Sequence, residues 1–173
     1  NVAIGYQALS TEDTTGGVTA LGYQALKAQN ANSTSFNTAV GYQAGLSIST
    51  GANNTLIGAL AGDALADDSN NCVAVGYAAM HAATTSTRTT AVGRSAFGSA
   101  ILTGNDNTAL GYQAGKASTS GAKNTLIGSQ AGDGISLGTG NVSLGYNSLS
   151  AVNAGSKSVA IGSGALQIQA PQF

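Results

Sequence analysis

The stretch Asn37-Thr38-Ala39-Val40-Gly41-Tyr42-Gln43-Ala44-Gly45 returns seventy residues later as Asn107-Thr108-Ala109-Leu110-Gly111-Tyr112-Gln113-Ala114-Gly115. The segment behind it returns as well, with Asn54-Thr55-Leu56-Ile57-Gly58 matched by Asn124-Thr125-Leu126-Ile127-Gly128. Looser copies fill the whole chain. Anchored on the motif glycine, they fall at Gly5, Gly22, Gly41, Gly58, Gly76, Gly93, Gly111, Gly128, Gly145 and Gly162, a nearly constant spacing. Self-similarity at a fixed short period marks a repeat architecture in which each unit buries its apolar side against the next. Ten units leave no room for a separate domain. The repeat is read over residues 1–166, with residues 167–173 as an exit marked by Pro171, which cannot donate to a ladder.

Each column of the motif sets its own physical demand. Three residues before the glycine stands Val or Thr in every unit, and one before it Ile, Leu or Val. Residues two apart share one face of a strand, and β-branched side chains fit a pleated surface. This pair, Val2 and Ile4 in the first unit, is expected to face the interior. Between them stands a small residue: Ala3, Ala20, Ala39, Ala74, Ala91, Ala109, Ala160 or Ser143, with Leu56 and Leu126 as exceptions. Pointing the other way with the glycine, that column makes a smooth outer strip. Two readings of the glycine stand side by side: a bend that needs unusual φ, or close approach of another chain. The second is preferred, because a bend alone does not require a small residue two positions earlier. The expected interface is therefore Ala3, Gly5, Ala20, Gly22, Ala39, Gly41, Leu56, Gly58, Ala74, Gly76, Ala91, Gly93, Ala109, Gly111, Leu126, Gly128, Gly145, Ala160 and Gly162.

Tyr6, Tyr23, Tyr42, Tyr77, Tyr112 and Tyr146 all follow the motif glycine and are expected to stack as a ladder. Alanine, once Ser148, stands three residues after the glycine and implies a tight inner corner. Asn1, Asn37, Asn54, Asn107, Asn124 and Asn141 open the motif, where an amide can bond turn backbone and ladder with its copies. Of the thirteen charged residues only Arg94, in a tyrosine slot, lies inside the nine-residue motif. The rest of each unit is variable and polar, with room for a second strand and loops. Helix pairs are excluded, because Gly, Thr, Ser and Asn run through every unit and the unit is too short for the usual helical repeats. The fold expected is an all-β parallel solenoid of about ten turns.

Composition agrees. Charged residues are 8% of the 173, against about a quarter in ordinary domains, so a conventional globular surface is unlike this chain. One proline excludes collagen, and 42% hydrophobic residues argue against disorder. A net charge of −1 leaves no electrostatic footprint for nucleic acid. No apolar run is long enough to span a membrane. The chain opens at Asn1 inside a repeat, without a secretion signal, and reads as a piece of something longer. Its single cysteine, Cys72, leaves the redox compartment unread.

Ten in-register copies of phrases such as Asn1-Val2-Ala3-Ile4-Gly5 and Ser158-Val159-Ala160-Ile161-Gly162 resemble the head repeats of trimeric autotransporter adhesins. Similar repeats occur in bacteriophage tail fibres. The resemblance implies a left-handed parallel β-roll, packed as a homotrimeric fibre outside the cell, on a virion or a bacterial surface. It maps the family's inner pair to Val2 and Ile4 and its trimer-facing small positions to Ala3 and Gly5. The units are longer than those of adhesin heads, and Tyr-Gln after the glycine is a second departure; both favour the phage type.

An enzyme is the weakest class. His81, Cys72 and Glu12 are each the only residue of their kind, which leaves no set for a metal or a catalytic triad, and no cofactor is expected. Asp63, Asp67 and Asp68 cluster, and Asp133 repeats Asp63; solvated loop is the main reading, with a cation site or glycan-cutting carboxylates as lesser ones. A monomeric flat-surface binder such as an ice-binding protein is the alternative, invited by six threonines in one column. It ranks below because that column is expected to point inward. The preferred function is an attachment fibre that meets an unknown receptor, glycan or protein, through variable segments Thr11–Gly17, Asn30–Phe36, Ala64–Asn71 and Ala82–Thr89. Three-fold repetition would supply avidity.

Overall fold

The structure, a computed structural model, describes residues 1–13, 16–67, 69–151 and 154–167. Ten three-residue strands follow one another: β1 (Val2–Ile4), β2 (Thr19–Leu21), β3 (Thr38–Val40), β4 (Thr55–Ile57), β5 (Val73–Val75), β6 (Thr90–Val92), β7 (Thr108–Leu110), β8 (Thr125–Ile127), β9 (Val142–Leu144) and β10 (Val159–Ile161). They pair in parallel, in sequence order, as one sheet. Register is strict, so every motif column becomes a straight row: Ala20 pairs with Ala39, Leu21 with Val40, Val73 with Thr90. The chain is thus a parallel β-solenoid, and no helix occurs among the described residues. Tyr77 to Ala82 is turn. With rungs ~4.8 Å apart, nine rung spacings give a stack of roughly 43 Å.

The faces of the sheet are the reverse of the expectation. Ala20, Ala39, Ala74, Ala91 and Ala109 are fully buried inside the coil of their own chain, as are Leu56, Leu126 and Ser143. The aliphatic column points out, with Ile57 40% and Leu110 46% exposed in mid-stack. The cause is the bore of the coil. Each turn closes after so short a run of chain that in most coils the strand contributes only a methyl group beside the larger side chains of the returning loop. Leu26, Ile48, Leu65, Met80, Phe97, Leu102, Ile135 and Leu149 fill that space. Small size, not β-branching, marks the inward column.

The exceptions obey the same rule. Leu56 and Leu126 are the large residues of the alanine column, and each lies where glycines empty the loop. A Cβ on Gly45 or Gly62 would meet Leu56 at 2.7 and 2.9 Å, and one on Gly115 or Gly132 would meet Leu126 at 2.9 and 2.6 Å. Those glycines hold the position that Leu26, Met80 and Phe97 occupy in other coils. Ser143 and Ser148, exceptions in two columns of one coil, bond each other at 2.5 Å.

The motif glycine combines unusual φ with a close backbone approach, but the approach is within the chain and not from another one. Its φ lies between 120° and 142°, and from Gly5 to Gly145 a Cβ would stand 2.3–2.7 Å from the carbonyl oxygen of the next glycine up the stack. The close neighbour is the chain's own next coil.

After the glycine the backbone runs through consecutive tight turns, as in Ala25 N–H to Gly22 O and Lys27 N–H to Gln24 O. Their third residues, Gln24 and Leu26, have φ of 55° and 47°, a left-handed conformation that type II turns require there. Across the described residues, no Val, Ile or Thr carries positive φ, as expected where β-branching would clash. Coil-to-coil ladder bonds, such as Gly41 N–H to Leu21 O and Gln43 N–H to Tyr23 O at 2.8 Å, hold the strained residues in place. The second strand per coil that the sequence leaves room for is not formed among the described residues; this side is turn and irregular backbone with its own ladder bonds.

Buried asparagines close the remaining corner. Asn124 Oδ1 accepts from Asn141 N–H at 2.9 Å, while its Nδ2 donates to Gly138 O at 2.9 Å. Asn37, Asn54, Asn107 and Asn141 repeat that pattern between coils. Cys72 replaces one of them and donates its thiol to Ser86 O at 3.2 Å; burial raises its pKa. The segment proposed as an exit, apart from Gln167, lies outside the described residues.

Candidate functional site

Inversion of the sheet changes which residues can meet a partner. The small-residue strip predicted as an interface is split: its alanines and leucines lie inside the coil, apart from Ala3 in the exposed first strand, and its glycines, apart from Gly162 in the last strand's coil, pack on the next coil of the same chain. The outward side of the strands carries instead half-buried Thr19, Thr38, Thr55, Thr90, Thr108 and Thr125, and beside them the row Leu21, Val40, Ile57, Val75, Val92, Leu110 and Ile127. Together they form a band of threonines and aliphatic residues, held in register along the stack. What pointed to it in the sequence was the size of the intervening column.

Two edges flank the band. On one, corner positions Phe36, Asn53, Asn71, Arg88, Asp106, Lys123 and Lys157 carry φ between 50° and 61°. Arg88 donates through Nε and Nη2 to Asp106 at 2.6 and 3.1 Å, and these bonds hold the Asp106 carboxyl below its usual range. On the other edge runs the tyrosine column. It is a ladder only in part: Tyr6, Tyr23 and Tyr42 stack at 5.4 and 5.2 Å, with planes 16° and 6° apart. Beneath them Gln24 Nε2 donates to Gln7 Oε1, and Gln43 Nε2 to Gln24 Oε1. Higher up, Ala59 and Ser129 leave rungs without a ring, and Arg94 puts its Cζ 5.7 and 5.9 Å from the rings of Tyr77 and Tyr112.

The titratable residues of the loops do not converge. Asp63 Oδ1 lies 2.7 Å from His81 Nδ1 of the next coil; burial raises the Asp63 pKa, and the histidine partly offsets this. Asp133, its counterpart, is also raised by burial, against the pull of Lys116, and its Oδ1 is buried without a hydrogen bond. Asp67 is exposed, and Asp68 lies outside the described residues. Among the described residues no three His, Cys, Asp or Glu side chains gather closely enough to hold a metal ion. Of the variable segments, Asn32, Ser33, Thr34 and Phe36 in the longest coil are exposed, as are Thr85 and Arg88; Thr14 and Thr15 lie outside the described residues.

No protein-family model, curated protein or solved structure matches the chain.

Proposed function

We propose that the chain is a segment of a stiff homotrimeric attachment fibre. Three coils, each wound left-handed as in the fibres it resembles, pack their apolar bands together and turn their loops outward to an extracellular receptor, glycan or protein. The phage tail fibre and the bacterial surface adhesin are the two settings that the repeat favours. The supporting observation is the outward row Leu21, Val40, Ile57, Val75, Val92, Leu110 and Ile127. The row spans seven rungs, roughly 29 Å, and a contiguous apolar strip of this kind marks an interaction surface. Matching bands on identical chains can close by rotational symmetry, and a row held in register by the strand pairing suits such closure. The work is mechanical and adhesive, without catalysis.

Light scattering tests this against 16.8 kDa for one chain. A native mass three times larger, reverting to one chain in Ile57→Arg/Leu110→Arg with circular dichroism unchanged, is the expected result. A folded monomer rejects the trimer.

One observation favours the alternative of a monomeric flat-surface binder. The six-threonine column, expected inward, is in fact on the outward face beside the aliphatic row. Such a band, with rungs at ~4.8 Å, is the kind of regular, weakly polar surface that an ordered solid such as ice can match. A monomer that shapes ice crystals, and loses this in Thr55→Lys/Thr90→Lys, would establish this reading.

A further inference from the structure

The tyrosine edge contains two vacant rungs with the same surroundings as an occupied one. Between Tyr77 and Tyr112, two rungs apart, the Arg94 guanidinium sits as a planar cation against both rings. Between Tyr42 and Tyr77 the rung is Ala59, and between Tyr112 and Tyr146 it is Ser129. Rings two rungs apart are separated by ~9.6 Å along the stack. Allowing ~3.5 Å for one ring thickness leaves a slot of roughly 6 Å, wide enough for one flat group and too wide for the rings to close on each other. All four flanking tyrosines are exposed, so both slots open to solvent. The two are seventy residues apart, at the same point of each copy of the duplicated block. The small side chain is Ala in one copy and Ser in the other, while the flanking rings are kept.

We infer that Ala59 and Ser129 mark a pair of binding slots for arginine side chains of a partner protein, each guanidinium seated between two tyrosines as Arg94 is within the chain. Cations are attracted to aromatic faces, and a planar guanidinium also stacks where an ammonium does not. Four rungs separate the slots, ~19 Å along the edge. An extended segment with arginines six residues apart spans about 20 Å and fills both. The inference gives the attachment fibre a partner chemistry, but it does not depend on trimerisation.

The test is titration of the full chain, carrying ¹³C-labelled tyrosine rings, with three soluble peptides: one with arginines six residues apart, one with a single arginine, and one with lysines six residues apart. The expected result is that resonances of Tyr42, Tyr77, Tyr112 and Tyr146 move while Tyr6 stays nearly fixed. The two-arginine peptide should bind at least about tenfold more tightly than the single one, through the effective concentration of its second group. Filling the rungs with Ala59→Tyr/Ser129→Tyr should remove that advantage, and Arg94→Ala should open a third slot, raising single-arginine stoichiometry from two to three. Equal binding by the lysine peptide overturns the proposal. So does binding that survives the filled rungs, or tyrosine rings that ignore the peptides because another copy of the chain already covers them. Chain mass, measured on the same sample, reports separately on the trimer.

Discussion

The inner and outer faces of the single sheet carry opposite kinds of apolar residue. Inside stand alanines, one in most coils, each under the next; outside stand valine, isoleucine and leucine. In an ordinary sandwich the larger side chains go inward, because the core is wide and its filling supplies the stability. Here a short coil encloses a narrow bore, and close approach governs instead. The outer aliphatics are left partly exposed, so the proposed assembly falls on the face of the strand opposite the one that packs the core.

The contrast is broken most directly by enlarging neighbours on opposite faces. Ala74→Leu forces three carbons into a bore already filled by Met80 and is expected to cost about 3 kcal/mol or to prevent folding. Val75→Leu, one residue along and facing out, should cost less than about 0.5 kcal/mol in the free chain. Denaturant unfolding of both variants decides the matter, and the reverse order would invert the sheet again.

Next in size is the exchange of bulk between strand and loop. Leu126→Ala should lose about 3 kcal/mol by leaving a cavity. Gly132→Leu should also destabilise, because its side chain would meet Leu126. Combined, the two place a large residue in the loop and a small one on the strand, the arrangement of the coils with Leu26 or Leu149. The double variant should recover at least about 1 kcal/mol relative to the sum of the singles. Strict additivity would mean the two positions do not share space.

Smaller effects belong to the loop carboxylates. Burial raises the Asp133 pKa above 3.8, so the folded chain holds this proton more tightly than the unfolded one. Its contribution to stability is therefore lost as pH rises through the folded pKa. Asp133→Asn should stabilise at pH 7 by less than about 1 kcal/mol, since exposure screens much of the effect. The gain should shrink to nothing below pH 3.8, as thermal unfolding at both pH values would show. Least is expected of Arg88→Ala, which removes an exposed ion pair with Asp106 and should leave the unfolding midpoint unchanged in about 0.15 M salt.

How far the sequence reveals this molecule follows from the same geometry. Period, strand position, parallel stacking and the asparagine corner are all legible, because each is a demand that coil after coil meets with the same residue type. The direction of the strand is not legible from its own residues. Thr38-Ala39-Val40 reads equally well with either face inward, and only Leu56 and Leu126, taken together with Gly45, Gly62, Gly115 and Gly132, reveal which column faces the loop. Ser143 and Ser148 say the same thing in a single coil. The tyrosine column is legible as a column but not as a discontinuous one: Ala59, Ser129 and Arg94 appear as isolated departures until their rungs are set between rings.

The exchange of bulk around Leu56 bears on how such a chain can grow. Its side chain occupies space vacated by a glycine in its own coil and by another in the coil before it. Duplicating that coil alone would set a leucine beneath a second leucine, and both would compete for the space at the one glycine they share. Lengthening without a clash requires copying a run of coils whose ends match in bulk. The seventy-residue echo is such a run, four coils long, so the heritable module of this stack is the block of coils and not the single turn.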